Sequence, residues 1–529
     1  MIACAVSVLA AMPLIYIFIR ASAASIDTWQ RLWTGQIPRL LSNTFWLSTL
    51  SASITLVLGI SLAWLVERTD LTAKHMWRWL LALPLAVPAY SGAICYIILL
   101  RRGGLIEQAF MALTGLPQGQ LPVLNIYTLA GTAIIISLFV FPYVYLPVLA
   151  ALRTINRSLE EAARAAGRSP IRTFIEITLP MLAPAATGGG LLVALYALSD
   201  FGTVSMMRYS TFTNAIYNQF SGQIDRSAAA ILSMVLALIT LPLLWGEGWL
   251  SHKTNRGKTG SAWKPVQPIT LGAWRWPAFV YVCVVAFLSI GLPVLVLGGL
   301  SLQAIFWPSK IDLVWNVGSD SLLWQIVHSL GLAIATATLS IALAFAPAYL
   351  SLRYPSRFTN ALLNLSKSPY ALPGPIVGLA FVMLLSQWLP WLYNTVFGLL
   401  IGFIFRLMPQ SVTTAYAALE TVPRSVEQAG RVMGNTGLQA IRRILLPVAA
   451  PGFMAAWALV FITAMKELPT AVMLRPAGFD TLPVRLWAAA NDSIYTQAAL
   501  PAFIMIVVTA IPLVLLYGRS RFGLNRAIE

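Results

Sequence analysis

Apolar windows long enough to form membrane-crossing helices recur along the whole 529-residue chain. An α-helix needs about 20 apolar residues to cross the ~30 Å of hydrocarbon in a bilayer. Only 10% of the residues are charged, whereas a soluble protein carries roughly a quarter. The sequence therefore predicts an all-α membrane protein whose lipid bilayer covers the surface that charges would otherwise cover. It predicts about twelve transmembrane helices, near residues 2–20, 43–66, 79–100, 123–150, 180–203, 228–250, 276–301, 326–350, 368–389, 393–418, 447–472 and 498–517.

The first apolar window has two interpretations. Residues 21–23 (Ala-Ser-Ala) resemble a signal-peptidase site that follows an apolar core. However, no Lys or Arg precedes Arg20, so the basic segment that opens a signal peptide is missing. We therefore expect the first window to be kept as a membrane span.

The net charge of +17 could indicate a nucleic-acid partner, but the basic residues lie in short clusters between apolar windows. Basic loops stay on the cytoplasmic side of a membrane. One set of alternate loops, with the carboxyl-terminal tail, holds 23 Lys and Arg, and the other set holds ten. This bias predicts a multi-pass membrane protein with both termini in the cytoplasm, and it explains the positive charge without a nucleic-acid partner. The three cysteines, Cys4, Cys95 and Cys283, have no metal-ligand spacing and no disulfide pattern.

The chain also repeats itself. Residues 142–200 overlay residues 409–467 at a constant offset of 267, and Pro84 and Pro88 match Pro369 and Pro373 at an offset of 285. Six spans per copy is an even number, so the two copies share one orientation, unlike inverted repeats. We expect a first membrane domain at 1–250, a polar, basic cytoplasmic linker at 251–275 and a second membrane domain at 276–529.

The most informative motif lies in two long basic loops, residues 157–180 and 424–447, which we call the docking loops. Each contains a short Ala/Glu/Arg helix, a glycine (Gly167 or Gly434) at an expected left-handed helix end, a second helical stretch (169–177 or 438–445), and a proline that opens the next span. Glu160 and Arg164, like Glu427 and Arg431, are i, i+4 neighbours, so each helix is expected to carry an internal ion pair.

Small residues keep one face of each short helix flat enough for close approach of a partner. The alternative is an amphipathic helix that lies on the lipid surface. The same motif occurs twice, on the same side and at the same place in each repeat, which favours a docking element.

The docking loops resemble the EAA loop of ABC importer permeases: Glu-Ala-Ala, three residues, Gly, nine residues, Ile-x-Leu-Pro. The resemblance implies the type I importer permease fold, with two parallel six-helix repeats, docking on ATP-binding subunits, and a location in the bacterial inner membrane. The second loop departs from the pattern, because Gln428 replaces the second Glu and Gly430 replaces the second Ala. The docking residues it implies are Glu160, Glu161, Ala162, Ala163 and Gly167 in the first loop, and Glu427, Gln428, Ala429, Gly430 and Gly434 in the second.

The chain lacks an ATP-binding loop of its own. Gly257-Lys258-Thr259 has the end of a P-loop, but the required earlier glycine is His252. We therefore expect a transport subunit that is not itself an enzyme and holds no cofactor. Its partners would be two separate ATP-binding subunits and a periplasmic substrate-binding protein.

Two acids end the spans that follow the docking loops. Asp200 and Glu467 occupy matched positions, each at the same distance along the chain from the proline that opens its span, Pro180 or Pro447. An acid at this depth is a candidate for the translocation pathway, or it is an interface residue, or, for Glu467, a partner of Lys466. No role is assigned to Arg406, which lies inside a predicted span.

The residues around these acids, 198–204 and 465–482, resemble the fused permeases of ferric iron importers. The resemblance implies ferric iron as the solute, with thiamine or another small cationic solute as the alternative. An ion-gradient-driven secondary transporter is the alternative from another class, but it gives no reason for two docking helices. The sequence has no cluster of metal-ligand residues, and a permease that held iron tightly would release it slowly.

Overall fold

The computed structural model describes residues 1–115, 125–154, 158–222, 225–256, 268–306 and 322–525. These residues are helical and contain no strand; Thr69 and Ile269 form one isolated parallel bridge. In the first half of the chain the helices are α1 (Ile2–Ser22), α2 (Ile26–Gly35), α3 (Ile37–Arg68), α4 (Lys74–Leu80), α5 (Ala89–Leu100), α6 (Leu105–Thr114), α7 (Leu129–Val140), α8 (Pro142–Thr154), α9 (Ser158–Ala165), α10 (Pro170–Thr173), α11 (Leu179–Ser199), α12 (Gly202–Met206), α13 (Phe212–Ser221) and α14 (Arg226–Arg256).

The second half contains α15 (Arg275–Ala286), α16 (Leu292–Phe306), α17 (Leu322–Arg353), α18 (Arg357–Ser366), α19 (Gly374–Trp388), α20 (Val396–Glu420), α21 (Arg424–Val432), α22 (Gly437–Ala440), α23 (Leu446–Met465), α24 (Pro469–Leu474), α25 (Leu482–Asn491) and α26 (Tyr495–Asn525). Short π-helical turns join helices at Phe174–Thr178, Phe287–Gly291 and Ile441–Leu445, and 3₁₀ turns lie at Leu83–Ala86, Gly272–Trp274 and Ser368–Ala371.

The predicted spans correspond to helices. In the described part of the chain, ten helices are long and apolar enough to cross a membrane, and the pair α7 and α8, bent by 45°, makes an eleventh. The remaining predicted window, 368–389, contains α19, an apolar helix of 15 residues. Pro369 and Pro373 precede this helix and stop it from extending towards its amino end. The prediction of an all-α membrane protein is thus confirmed.

The repeat predicted from the sequence recurs in the helices. The 32-residue helices α3 and α17 start and end at matched positions, related by the same offset of 285 that relates the prolines. Both repeats place a 3₁₀ turn and a proline (Pro88 or Pro373) before the next helix. In each repeat, three long segments form a central bundle: α3, α8 and α11 in the first, and α17, α20 and α23 in the second.

The contacts divide the chain into two compact units. The first consists of residues 1–36, 213–237 and 307–529, and the second of residues 37–212 and 238–306. In the first unit α1 packs on α17, α18 and α19, and the Ser7 hydroxyl donates to the Leu362 carbonyl oxygen at 2.9 Å. In the second unit the Tyr96 hydroxyl donates to the Leu288 carbonyl oxygen at 2.8 Å.

The first unit therefore combines most of the second repeat with α1 and α2 of the first. The second unit combines most of the first repeat with α15 and α16 of the second. The domain boundaries expected at 1–250, 251–275 and 276–529 describe the sequence repeat and stay a prediction. Within the expected linker, residues 257–267 lie outside the described residues.

Candidate functional site

Both docking loops have the same backbone course. The short helices α9 (Ser158–Ala165) and α21 (Arg424–Val432), which we call the docking helices, each end before a glycine in the left-handed region. Gly167 has φ +83° and Gly434 has φ +85°. The amide of the residue after each glycine returns to the helix: Arg168 N–H donates to the Ala163 oxygen at 3.1 Å, and Asn435 N–H to the Gly430 oxygen at 3.3 Å. The predicted left-handed helix ends are confirmed, and both turn the chain sharply in the same way.

The second helical stretch differs from the expectation in one respect. It does not end where a span begins, because α10 and α22 run through a π-helical turn directly into α11 and α23. Leu179 N–H donates to the Phe174 oxygen and Leu446 N–H to the Ile441 oxygen, five residues back. Pro180 and Pro447 follow directly, and a proline has no N–H for an α-helical bond and crowds the carbonyl four residues earlier. The wider turn accommodates the proline, so the second helical stretch (α10 or α22) and the span form one continuous rod.

Burial follows the same order in the two docking helices. Glu160 and Glu427 are buried, as are Ala163 and Gly430. The matched pairs that are exposed are Glu161 and Gln428, Ala162 and Ala429, and Gly167 and Gly434. The ten predicted docking residues therefore divide into an inner set that holds the helix and an outer set free to meet a partner. Exposed apolar side chains extend the outer set in the second loop: Val432, Met433 and Leu438.

The ion pair expected within the first docking helix is not formed in this structure. Glu160 lies 3.5 Å from the Nη2 atom of Arg68, the last residue of α3, and its Oε1 accepts a hydrogen bond of 2.9 Å from Thr178. The interpretation that Glu160 pairs with Arg164 was wrong because the buried side of the helix faces a buried cation on another helix. A desolvated carboxylate gains more from that cation than from one in water.

In the second docking helix the expected pair is present and belongs to a larger network. Arg431 Nη2 donates to Glu427 Oε1 at 2.9 Å, as predicted. Arg353, the last residue of α17, donates to Glu427 Oε2 at 3.1 Å, and the Tyr349 hydroxyl donates to Oε1 at 2.7 Å. Hydrogen bonds to Tyr354 and Glu427 raise the pKa of Arg431 above its ordinary value, so its guanidinium stays charged.

The glycine that departs from the EAA pattern has a packing reason. A Cβ on Gly430 would lie 2.3 Å from the Ile444 Cδ1 atom. The Ile444 methyl group therefore occupies the space that a Cβ at position 430 would need. The substitution preserves the close packing of the docking helix on the turn that follows it.

The two pathway candidates, Asp200 and Glu467, are buried at matched places. Asp200 accepts hydrogen bonds of 3.0 Å from the Thr203 hydroxyl and from the Val204 N–H. Glu467 Oε1 accepts from the Thr470 hydroxyl at 2.7 Å. Each acid thus satisfies polar groups at the start of a short helix, α12 or α24, a role that the sequence interpretation did not include.

Arg406, which the sequence left unassigned, lies 3.8 Å from Glu467 Oε1. Glu467 therefore has a cation from the neighbouring helix α20. The matched position in the first repeat, at the offset of 267, is Phe139. The two pathway candidates consequently sit in different electrostatic surroundings.

Sequence reasoning missed Arg68 and Arg353 as functional candidates. Both close a long helix, and they are related by the repeat offset of 285 that the prolines had already shown. A basic residue kept at matched positions of a duplicated span was the available signal. Among the described residues, no three His, Cys, Asp or Glu side chains come together as a metal site would require.

Comparison with known proteins gives a family match over most of the chain. The family described as "Binding-protein-dependent transport system inner membrane component" matches residues 1–256 and 338–528. The chain is 29% identical over 510 residues to the Fe(3+)-transport system permease protein FbpB 2 of Haemophilus influenzae, covering 96% of this chain and 95% of that protein.

Two further relatives differ from this chain in length. The ferric transport system permease protein FbpB of Actinobacillus pleuropneumoniae is 22% identical over 498 residues, covering 90% of this chain and 70% of its own length. A probable molybdenum ABC transporter permease protein of Haloferax volcanii is 28% identical over 220 residues, which are 40% of this chain and 80% of that protein. A shorter permease thus matches less than half of this chain.

Proposed function

Because the chain belongs to the family of inner membrane components of binding-protein-dependent transport systems, we propose that it imports ferric iron delivered by a periplasmic binding protein. The chain is an ABC transporter permease subunit and a multi-pass membrane protein. The observation that supports iron is the end-to-end similarity to a permease named for Fe(3+) transport, over 96% of this chain. Family membership decides against the ion-gradient-driven alternative.

The energy source in this proposal is a pair of separate ATP-binding subunits, one for each docking helix. Glu161, Ala162 and Gly167, and their counterparts Gln428, Ala429 and Gly434, provide the exposed surfaces that meet them. Glu160, Ala163, Glu427 and Gly430 hold those surfaces in place from the buried side. No cofactor of the chain's own takes part, and hydrolysis of ATP belongs to the partners.

The proposed cycle is alternating access. Closure of the two ATP-binding subunits moves the docking helices, and the spans that follow the docking loops, α11 and α23, carry the movement into the membrane. The docking loops and both termini face the cytoplasm in this arrangement. Asp200 and Glu467, at the far ends of those spans, are proposed as the acids of the solute pathway.

Docking is tested by replacing Gly434 with Trp. A Cβ at Gly434 meets no atom within 4 Å, so the indole would project from the docking surface without entering the core of this chain. We expect Gly434→Trp to insert in the membrane yet lose its ATP-binding subunit in copurification. Gly115→Trp is the matched control, because Gly115 also ends a helix with φ +70° and has no atom within 4 Å of a Cβ. Normal copurification and transport by Gly434→Trp would refute the docking assignment.

The solute is tested by uptake of ferric iron and of thiamine, in parallel, in cells that lack this chain and in cells with the gene restored. We expect iron uptake to fall in the first and recover in the second. If iron uptake is unchanged while thiamine uptake is lost, the permease assignment stays and the choice of solute is wrong.

A further inference from the structure

Two buried glutamate–arginine pairs join the docking helices to the ends of the long spans that precede them. In the first repeat the pair is Glu160 on α9 and Arg68 at the end of α3; in the second it is Glu427 on α21 and Arg353 at the end of α17. The glutamates are related by the offset of 267 and the arginines by the offset of 285, the two offsets of the internal repeat. The same pair therefore occurs at the same place in both copies of the fold.

The side chains of both pairs are withdrawn from solvent. The exposed fractions are 2% for Arg68 and 12% for Glu160, and 7% for each of Arg353 and Glu427. Surface ion pairs contribute little to holding two elements together, whereas removing one partner of a buried pair leaves an uncompensated charge in a poorly solvating environment. The pairs therefore attach each docking helix to the end of α3 or α17, and in the second repeat Glu427 also keeps its ion pair with Arg431 on its own helix.

Each carboxylate also accepts a hydroxyl hydrogen bond, and the hydroxyls come from different elements. Thr178, in the π-helical turn after the docking loop, donates to Glu160 at 2.9 Å. Tyr349, on α17, donates to Glu427 at 2.7 Å. The positions matched to these hydroxyls are Leu445 and Trp64, neither of which has a hydroxyl group. The hydroxyl donor to the matched carboxylate thus differs between the two repeats, whereas the arginine partner is the same in both. This indicates that the fold requires the glutamate–arginine pair.

The pairs have a geometrical consequence for movement. A docking helix is already joined to the following span, because α10 or α22, which follows its glycine turn, runs through the π-helical turn into α11 or α23. The buried pair adds a second attachment, to the first long helix of the bundle (α3 or α17), so that a displaced docking helix would displace two long helices of its bundle together. Without the pair, the docking helix could tilt about its glycine turn while α3 or α17 stayed in place.

From this arrangement we propose that Arg68–Glu160 and Arg353–Glu427 are clamps that transmit movement of each docking helix to the first long helix of its bundle, α3 or α17. Arg68 and Arg353 are positioning residues in this proposal, since they act through the docking helix and need not touch the ATP-binding subunit or the solute. The proposal rests on the proposed docking function, and its test is built so that failure of either is recognised separately.

The test uses the full complex in lipid nanodiscs, in a chain whose three cysteines have been replaced. Spin labels are placed at Val432, on the exposed end of α21, and at Leu323, exposed near the start of α17. Pulsed electron paramagnetic resonance gives the distribution of distances between the two labels, first without nucleotide and then with ATP and vanadate. If the clamp holds, docking helix and span move as one body, and the distribution stays narrow and unshifted between the two states.

In Arg353→Ala we expect the ATP-binding subunit to copurify at the wild-type level, while the width of the label distribution at least doubles in the vanadate state. Arg353→Lys keeps a cation at the site and is expected to restore a width within about 1.3-fold of the wild type. Arg357→Ala removes an exposed arginine four residues away and should leave the distribution unchanged. For the first clamp, labels at Ala165 and Phe45 with Arg68→Ala are expected to give the same broadening.

Distinct results overturn the proposal. An unchanged distribution in Arg353→Ala would show that the pair transmits nothing, and loss of the ATP-binding subunit from Arg353→Ala alone would show that Arg353 serves docking itself. An ATP-binding subunit that fails to copurify with the wild-type chain would instead refute the proposed docking function. Broadening in Arg353→Ala before nucleotide is added, without rescue by Arg353→Lys, would reduce the pair to a structural role.

Discussion

The side chains of Asp200 and Glu467 combine two roles, a capping role seen in the structure and the proposed role in the solute pathway. Their carboxylates accept hydrogen bonds at the start of a short helix, and they are buried at the end of a long one. A cap needs only a hydrogen-bond acceptor, and Asn serves almost as well as Asp in that position. A pathway for a cation needs the negative charge. The two roles are therefore separable by a substitution that removes charge and keeps the acceptor.

Asp200→Asn is expected to lower solute uptake at least tenfold while changing the unfolding temperature by only about 2 °C, because the amide oxygen still accepts from Val204 N–H. Uptake assays and thermal unfolding in detergent measure the two effects. The matched variant Thr203→Val keeps the charge and removes one donor to it, and should cost about 1 kcal/mol of stability with uptake retained. Normal uptake by Asp200→Asn would leave Asp200 with its capping role alone.

Individual residues also show which contacts could be predicted from the sequence and which could not. Spacing along a helix correctly paired Glu427 with Arg431, and it wrongly paired Glu160 with Arg164. Periodicity gives the neighbours on the same helix, but it gives no information on which side of the helix is buried against another element. The glycines at 167 and 434 were predictable, because a left-handed residue at a helix end is a local requirement.

At the scale of elements, close approach between helices depends on a few glycines. A Cβ on Gly374, at the start of α19, would lie 2.4 Å from the Pro469 Cγ atom and 3.0 Å from Glu467 Oε1. The proline ring lies at the start of α24 and cannot move aside like a long side chain. Gly374 and Gly378, four residues apart on α19, let this helix approach Pro469 and Met473 on α24 closely.

Gly374→Ala is therefore expected to lower stability by about 1–3 kcal/mol, the usual cost of overpacking. Gly331→Ala is the control on a long helix, since no atom lies within 4 Å of its Cβ. In a helix interior that change is expected to raise stability by up to about 1 kcal/mol. Thermal unfolding of both purified variants gives the comparison, and equal effects of the two would contradict the packing argument.

The helices themselves were largely predictable, and their ends were not. Apolar length identified most spans, because the bilayer sets that length, whereas the window 368–389 contains only the 15-residue helix α19. The spans after the docking loops begin earlier than the prolines suggested, since π-helical turns let the helix continue past Pro180 and Pro447. A single proline in a sequence does not reveal whether the backbone ends a helix there or widens by one residue.

At the scale of the whole chain, the internal repeat and the compact units do not coincide. Residues 1–36 belong to the unit that holds most of the second repeat, and residues 238–306 belong to the unit that holds most of the first. Offsets between sequence copies show what was duplicated, but they carry no information on which copy an opening helix packs against. Ser7 and Tyr16 on α1, bonded to Ser366 and Gln387, fix that choice in the first unit.

Because the opening helices of each repeat belong to the unit that holds most of the other repeat, the behaviour of a divided chain can be predicted. Two coexpressed chains, residues 1–256 and 268–529, are expected to copurify as a stable pair, because each compact unit needs helices from both. In the second unit, Val282 and Val285 from the second chain belong to the same buried core as Leu62 and Val144 from the first.

Residues 268–529 expressed alone should unfold at a temperature at least about 5 °C lower, since they lack α1, whose buried face packs on α17, α18 and α19. A first chain shortened to 23–256 retains the helices of the second unit and removes only α1. It should still capture the second chain, and the resulting pair should have an unfolding temperature below that of the full pair. Equal stability of residues 268–529 with and without the first chain would show that the repeats, and not the exchanged units, are the independent parts of this permease.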